Sequence, residues 1–176
     1  MNAMSIYSWL GRCALLLCLP AAAGAYECSA VAGVSGAWRF DDNRDGTLTD
    51  LDSGLTWMRC ALGQHWDGHT CRGQPARYDW QAAQQAARQL NASGGFAGSR
   101  DWRLPRLPEL AGIVARECRD PRINLQLFPA TPPALFWSSS GKPMVAGQAY
   151  ALGFGQQGAM AVDKGESHSV RLVRGE

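Results

Sequence analysis

The sequence predicts an α+β domain, and three observations carry that expectation. Short β-prone clusters cut by Asn/Asp/Gly turns fill residues 37–59, two stretches of helical period fall between residues 79 and 118, and short strand patterns return from residue 136. The chain has 176 residues, 46% of them hydrophobic and 18% charged, enough for one core but not for two comfortable domains, and too apolar for a disordered chain. No apolar run approaches the roughly 20 residues that a membrane span needs. The formal net charge of +2 carries no basic excess of the kind nucleic acid demands.

Residues 1–25 read as a signal peptide. Arg12 leads into the apolar stretch Cys13 to Leu19, followed by Pro20 and the small-residue run Ala21 to Ala25, whose AGA ending suits a signal peptidase. Cys18 follows Leu17 and Cys28 follows Glu27, so neither has the small residue before it that a lipoprotein signal requires. Residues 26–36 are then an N-terminal arm and 37–176 the domain, exported to the periplasm, the cell surface or the medium. Export leaves Cys28, Cys60, Cys71 and Cys118 in an oxidising compartment, where two disulfides are expected and three pairings are available. The short Gly- and His-containing loop between Cys60 and Cys71 suits a local bridge, which would leave Cys28 to Cys118, a longer closure worth roughly 4 kcal/mol in the chain-entropy model. A zinc site on His65 or His69 lacks a paired CxxC.

The elements follow in order. Within residues 37–59 the Asp45-Gly46 and Ser53-Gly54 turns predict a hairpin. From Asp79, an N-cap, the residues Trp80, Ala83, Ala87 and Leu90 line one helical face, and Gly94-Gly95 lie beyond the end. A second helix is expected from Pro108 to Cys118, with Leu107, Leu110, Ala111, Val114 and Cys118 on one face and Pro121 after the end. Strands are expected over Phe136 to Ser139, Tyr150 to Phe154, Ala159 to Val162 and Ser167 to Val173. The terminal segments would pair in one small antiparallel sheet with the two helices packed on it. The residues between the second helix and the last strands, Pro129 to Pro133 included, would form long irregular, exposed loops, where binding sites tend to sit.

The series GTLTDLDSGLTWMRC, YDWQAAQQAA, GGFAGSRDWRLPRLPEL, INLQLFP, FWSSS and the closing SHSVRLVR resembles the family named after the C-terminal domain of the Legionella collagen-like protein, over about residues 38–174. The resemblance implies a C-type-lectin-like arrangement and an exported bacterial domain whose best-understood namesake is an adhesin for sulfated glycosaminoglycans. The chain has no collagen-like repeat to enforce trimers, and it lacks the cysteine near the C-terminus that typical C-type lectins pair with one on their first helix.

Candidate chemistry sits in two places. With Asp41 as position 1, Asn43, Asp45, Thr47, Thr49 and Asp52 fall at positions 3, 5, 7, 9 and 12, the spacing of a calcium loop with Asp in place of the final Glu. Calcium is therefore a candidate cofactor, in competition with a plain hairpin turn at Asp45-Gly46. Between residues 100 and 122 stand six arginines (Arg100, Arg103, Arg106, Arg116, Arg119 and Arg122) against four acids, a patch able to hold sulfate in bidentate fashion. Arg116 and Arg119 would project from the second helix away from its apolar face. Trp66 and Tyr78 are candidate loop aromatics for stacking on sugars. Trp102 and Trp137 read as core, and Arg103 with Ser138 to Ser140 read as satisfying backbone groups. A Ser-x-x-Lys spacing at Ser139 and Lys142 lacks its partner motifs and is followed by Pro143. His168 alternates with Val170 and Leu172 and so faces the core side. No nucleophile with an obvious base stands out, so the expectation is a binding module and not an enzyme. Its partner is a sulfated or acidic glycan, or a protein if the domain is a surface-assembly component or an inhibitor of a secreted enzyme.

Overall fold

The computed structural model describes residues 37–176; the expected signal peptide, the expected arm and Cys28 lie outside the described residues. The class is α+β, with two sheets back to back and one small ribbon. After a short 3-10 turn at Ala37–Arg39, strands β1 (Phe40–Asp42), β2 (Thr47–Asp50) and β3 (Thr56–Met58) form an antiparallel meander. Its two turns are the ones the sequence marks. Gly46 (φ +88°) and Gly54 (φ +71°) take left-handed backbone that a side chain would strain. A last strand, β11 (Val173–Arg174), closes this sheet by pairing antiparallel with β3, so the terminal segments do meet in one sheet.

The ribbon pairs β4 (His65–Trp66) with β5 (Cys71–Arg72), and the Cys60–Cys71 disulfide staples it to the end of the meander, Cα to Cα 5.4 Å. The second sheet is built from β6 (Arg77–Tyr78), β7 (Leu135–Gly141), β8 (Gln148–Gly153), β9 (Gly158–Asp163) and β10 (His168–Ser169), in the order β6-β10-β7-β8-β9. All its pairings are antiparallel except β10 with β7. Two expectations are corrected here. The segment from Ser167 to Val173 is two strands that serve different sheets, and the helices pack on the second sheet instead of the one that joins the termini.

Helix α1 (Trp80–Ala92) begins where the cap predicts: the Asp79 carboxylate accepts the Ala82 N–H at 2.7 Å. The small buried Ala83 and Ala87 let it lie close on β6 and β7. Helix α2 (Leu107–Gly112) is capped by Glu109, whose carboxylate reaches back to the Arg106 N–H at 2.6 Å. It stops six residues short of the expected Cys118. Gly112 and the β-branched Ile113 and Val114 are weak helix formers, and the Gly112 carbonyl is taken by Arg39 Nη2 at 2.6 Å. From Ile113 to Ala134 the chain is irregular, as expected only for the part after Cys118, and it is not uniformly exposed: Ile123, Asn124, Phe128 and Thr131 are buried in it.

The second sheet divides the interior. One core, with Leu48, Trp57, Leu110, Ile123, Phe136 and Leu152, lies between the two sheets and α2; the other, with Ala83, Trp102, Trp137, Ala151 and Val170, lies under α1. Arg171 runs into the interior with no exposure at all. Its guanidinium donates to the Met58 and Arg59 carbonyls and to Thr131 Oγ1 (2.6 Å), and lies 4.8 Å from the Phe128 ring centre. Burial pushes its pKa down to about 9, still charged at neutrality.

Candidate functional site

The truncated helix changes how the arginine patch is laid out. Arg116, Arg119 and Arg122 are held by the irregular segment after α2, where the Ala115 N–H donates to the Arg122 carbonyl (3.0 Å) and the Cys118 N–H to the Ala115 carbonyl (3.1 Å). Folding the chain back in this way brings the three arginines around one cleft of about 300 Å³, with Cys118, Asp120 and Gln156. Arg116 and Arg119 are exposed and Arg122 half-buried. No carboxylate among the described residues is ion-paired with any of the three, and the Asp120 carboxylate accepts from Gln156 Nε2 at 3.4 Å. Arg116 also borders a neighbouring cleft of about 310 Å³, which adds Arg39, Phe40, Val114 and Asn124 to the lining. Trp38, the residue before Arg39, is 79% exposed. It is a large exposed aromatic, next in sequence to a residue of that lining. An Ala-Trp-Arg-Phe string gives no sign of which of its aromatics is left outside, and sequence reasoning passed over it.

The other three arginines do not join this cleft. Arg103 is fully engaged: its guanidinium forks onto Glu109 with both bonds at 2.9 Å and also donates to the Gly175 carbonyl (2.8 Å), as its backbone-satisfying role predicts. Burial raises the Glu109 pKa, but the bonds and charge of Arg103 outweigh it, so the net shift is downward. Arg106 borders a third cleft of about 230 Å³ with Gln84, Arg88 and Ser139. Arg100 stands exposed beyond the Phe96 to Ser99 turn.

Both candidate stacking aromatics are corrected. Trp66 is half-buried in β4, with the Arg59 guanidinium 4.4 Å from its ring centre and the Gly46 turn packed close to the indole. Tyr78 lies in β6 and packs on the core beneath α1, while its carbonyl accepts the Trp137 indole N–H at 2.7 Å. Neither is a free loop ring. Trp102 and Trp137 are core, as expected. Ser138 and Ser139 donate to the carbonyls of Tyr150 and Pro105, also as expected, although from a strand and not a loop.

The candidate calcium ligands fall on a hairpin, and the hairpin uses them. Asn43 Nδ2 donates to Thr47 Oγ1 (2.9 Å) and Thr49 Oγ1 (3.0 Å), and the Asp45 carboxylate takes the Thr47 N–H (3.0 Å) and hydroxyl (2.5 Å). Asp41 pairs with Thr49 across the strands, and Asp52 sits in the turn at the far end of β2. Four strand residues separate the two turns, about 13 Å, whereas calcium takes its ligands at about 2.3–2.6 Å. Asp52 therefore does not converge with Asn43 and Asp45. No group of three or more His, Cys, Asp or Glu side chains among the described residues is placed to hold a metal. His65 and His69 are exposed on the ribbon and its turn. His168 is buried, 4.8 Å from the Trp137 ring and 3.3 Å from Glu166, and desolvation lowers its pKa despite that carboxylate.

The fold and these clefts define a small α+β domain with a cationic recess on an irregular segment. A family model for the Lcl C-terminal domain matches residues 46–174, and the chain belongs to that family. No curated protein matches it. No helix among the described residues is long and apolar enough to cross a membrane.

Proposed function

We propose that the protein is an exported binding or adhesion module, not an enzyme, that takes a sulfated or carboxylated glycan in the cleft of Arg116, Arg119 and Arg122. The observation that carries this is three guanidinium groups around one recess with no ion-paired carboxylate among the described residues. In that recess, planar forks can grip sulfate or carboxylate oxygens pairwise. Trp38 and the Arg39 side of the neighbouring cleft would extend the site to a second sugar. Membership of the Lcl C-terminal domain family supports a binding or adhesion role. The joining of β1, β2 and β3 to β11, the two helices and the long loop after α2 support a C-type-lectin-like arrangement. A second disulfide, Cys28 to Cys118, completes the proposal.

The test is a glycan array probed with the oxidised mature protein from Tyr26, at low and high salt, with calcium and with chelator. Binding to sulfated or acidic glycans should weaken as salt rises and be indifferent to chelator. The double substitution of Arg116→Ala with Arg119→Ala should lower affinity about a hundredfold, roughly tenfold for each charged hydrogen-bonding group lost. Silence across a validated array, or binding that ignores both salt and the substitutions, would move the function to a protein partner.

A further inference from the structure

The second sheet ends on β9, and that open edge differs from the other sheet edges among the described residues. β1 carries Asp41 and Asp42 within three residues, while β6 and β11 are two residues long, with Pro75 just before β6 and Arg77 in it. Short strands, charges and prolines are the usual means of blunting an edge. β9 runs for six residues in unbroken register with β8, without proline, lysine or arginine, and its one charge is the last residue.

The backbone groups on this edge can be followed individually. The Lys164 N–H donates back to Gly147 at 2.9 Å, so by antiparallel alternation Met160 and Val162 bond β8, while Ala159, Ala161 and Asp163 turn their N–H and C=O outward. Asp163 is closed off locally: its N–H donates to Glu166 Oε1 (3.1 Å) and its carbonyl accepts the Glu166 N–H (3.0 Å). The outward groups of Ala159 and Ala161 have no partner among the described residues. Between them, Met160 lies on the same face as Val162 and Ala151, the face of the core beneath α1, yet is 41% exposed because no further strand covers it.

From this edge we infer that the protein self-associates, two copies pairing their β9 strands antiparallel about a two-fold axis at Met160. Ala159-Met160-Ala161 reads the same in both directions, which is what an isologous contact requires. In this register Ala159 of each copy exchanges both hydrogen bonds with Ala161 of the other, using just the four free groups of each copy. Met160 faces its own counterpart at the close, non-hydrogen-bonded position between them. Asp163 falls opposite Gln157 and Lys164 opposite Gln156, so no like charges are opposed. The two five-stranded sheets become one. The inference is independent of what the arginine cleft binds.

Sedimentation velocity of the purified mature protein across about 10 μM to 1 mM should show a dimer that grows with concentration, in the weak range expected of a small interface. Met160→Lys, which sets two like charges against each other across the axis, should raise the dissociation constant roughly tenfold or more. Met160→Cys should oxidise to a covalent dimer, because paired residues about 4.5 Å apart fall within disulfide reach. Met144→Cys, fully exposed but outside β9, should stay at background. Equal crosslinking of the two cysteine variants overturns the inference, and so does a dimer that survives Met160→Lys. So does a protein that stays monomeric throughout, including one whose β9 amides gain protection only from another protein's extended segment.

Discussion

Replacing Arg171 by methionine sets two large opposing energies against each other. The side chain is wholly buried, no carboxylate among the described residues pairs with it, and its guanidinium feeds the carbonyls of Met58 and Arg59 and the hydroxyl of Thr131. Three bonds from a charged donor are worth about 2 kcal/mol each, roughly 6 kcal/mol together. Against this, removing a buried charge relieves a desolvation cost of several kcal/mol, which we take as about 3. Methionine refills most of the volume between Phe128 and Phe136, so no large cavity term enters. The net expectation is a destabilisation of about 3 kcal/mol. With an unfolding entropy of about 2.1 cal/mol/K per residue, this corresponds to a fall in Tm of roughly 10 °C for a domain of this size. Urea and thermal unfolding followed by tryptophan fluorescence would measure it. Thr131→Val should cost about 1 kcal/mol alone and clearly less in the Arg171→Met background, because the two share one bond. A methionine variant as stable as the parent, or more so, would show that desolvation outweighs the three bonds and that the arginine is not what holds β3, β11 and the Thr131 loop together.

Other perturbations are simpler. Cys60→Ser with Cys71→Ser opens a closure of 11 residues in sequence and should cost roughly 2–3 kcal/mol in chemical unfolding. Glu109 has a folded pKa below the ordinary glutamate value of 4.5, so its contribution is present above that value and is lost as pH falls through the folded one. Denaturation midpoints should therefore drop on acidification below about pH 4.5, and Glu109→Gln should flatten that part of the profile. Gly95→Ala forces a side chain onto left-handed backbone (φ +77°) and against the Ser99 carbonyl. It should lower stability by about 2 kcal/mol or more, read by the same unfolding measurements. By contrast, Gly94→Ala meets no neighbour within 4 Å and should lose only the smaller cost of its positive φ.

What could be read from the chain was what is decided locally. Helix α1 was legible because its cap, its period and its Gly94-Gly95 stop all lie within its own stretch. The end of α2 was not, because the residue that takes the Gly112 carbonyl is Arg39, 73 positions earlier. The alternation from Ser167 to Val173 looks like one strand, since burial continues through Val170 to Leu172 while the chain crosses from one sheet to the other. Calcium-loop spacing in Asp41 to Asp52 is a statement about a wound loop, and the same letters on a hairpin are spread along two strands. The arginine count marked a stretch of chain but could not show that Arg103 is tied to Glu109 while Arg116, Arg119 and Arg122 line one cleft. Charge is visible in a sequence, and its partners are not.

The position of β10 between β6 and β7, together with the closure of β11 onto β3, makes the end of the chain the last part needed by both sheets. Neither can be finished until His168 and all that follows it have been synthesised, and Arg171 must arrive before the Met58 and Arg59 carbonyls are satisfied. A chain that ends before His168 lacks a strand that each sheet needs. The full chain would fold in one late step, slowly, because its decisive pairings join residues more than a hundred positions apart. A truncation of even the last strand would leave the first sheet without its closing edge and Arg103 without its bridge to Val173.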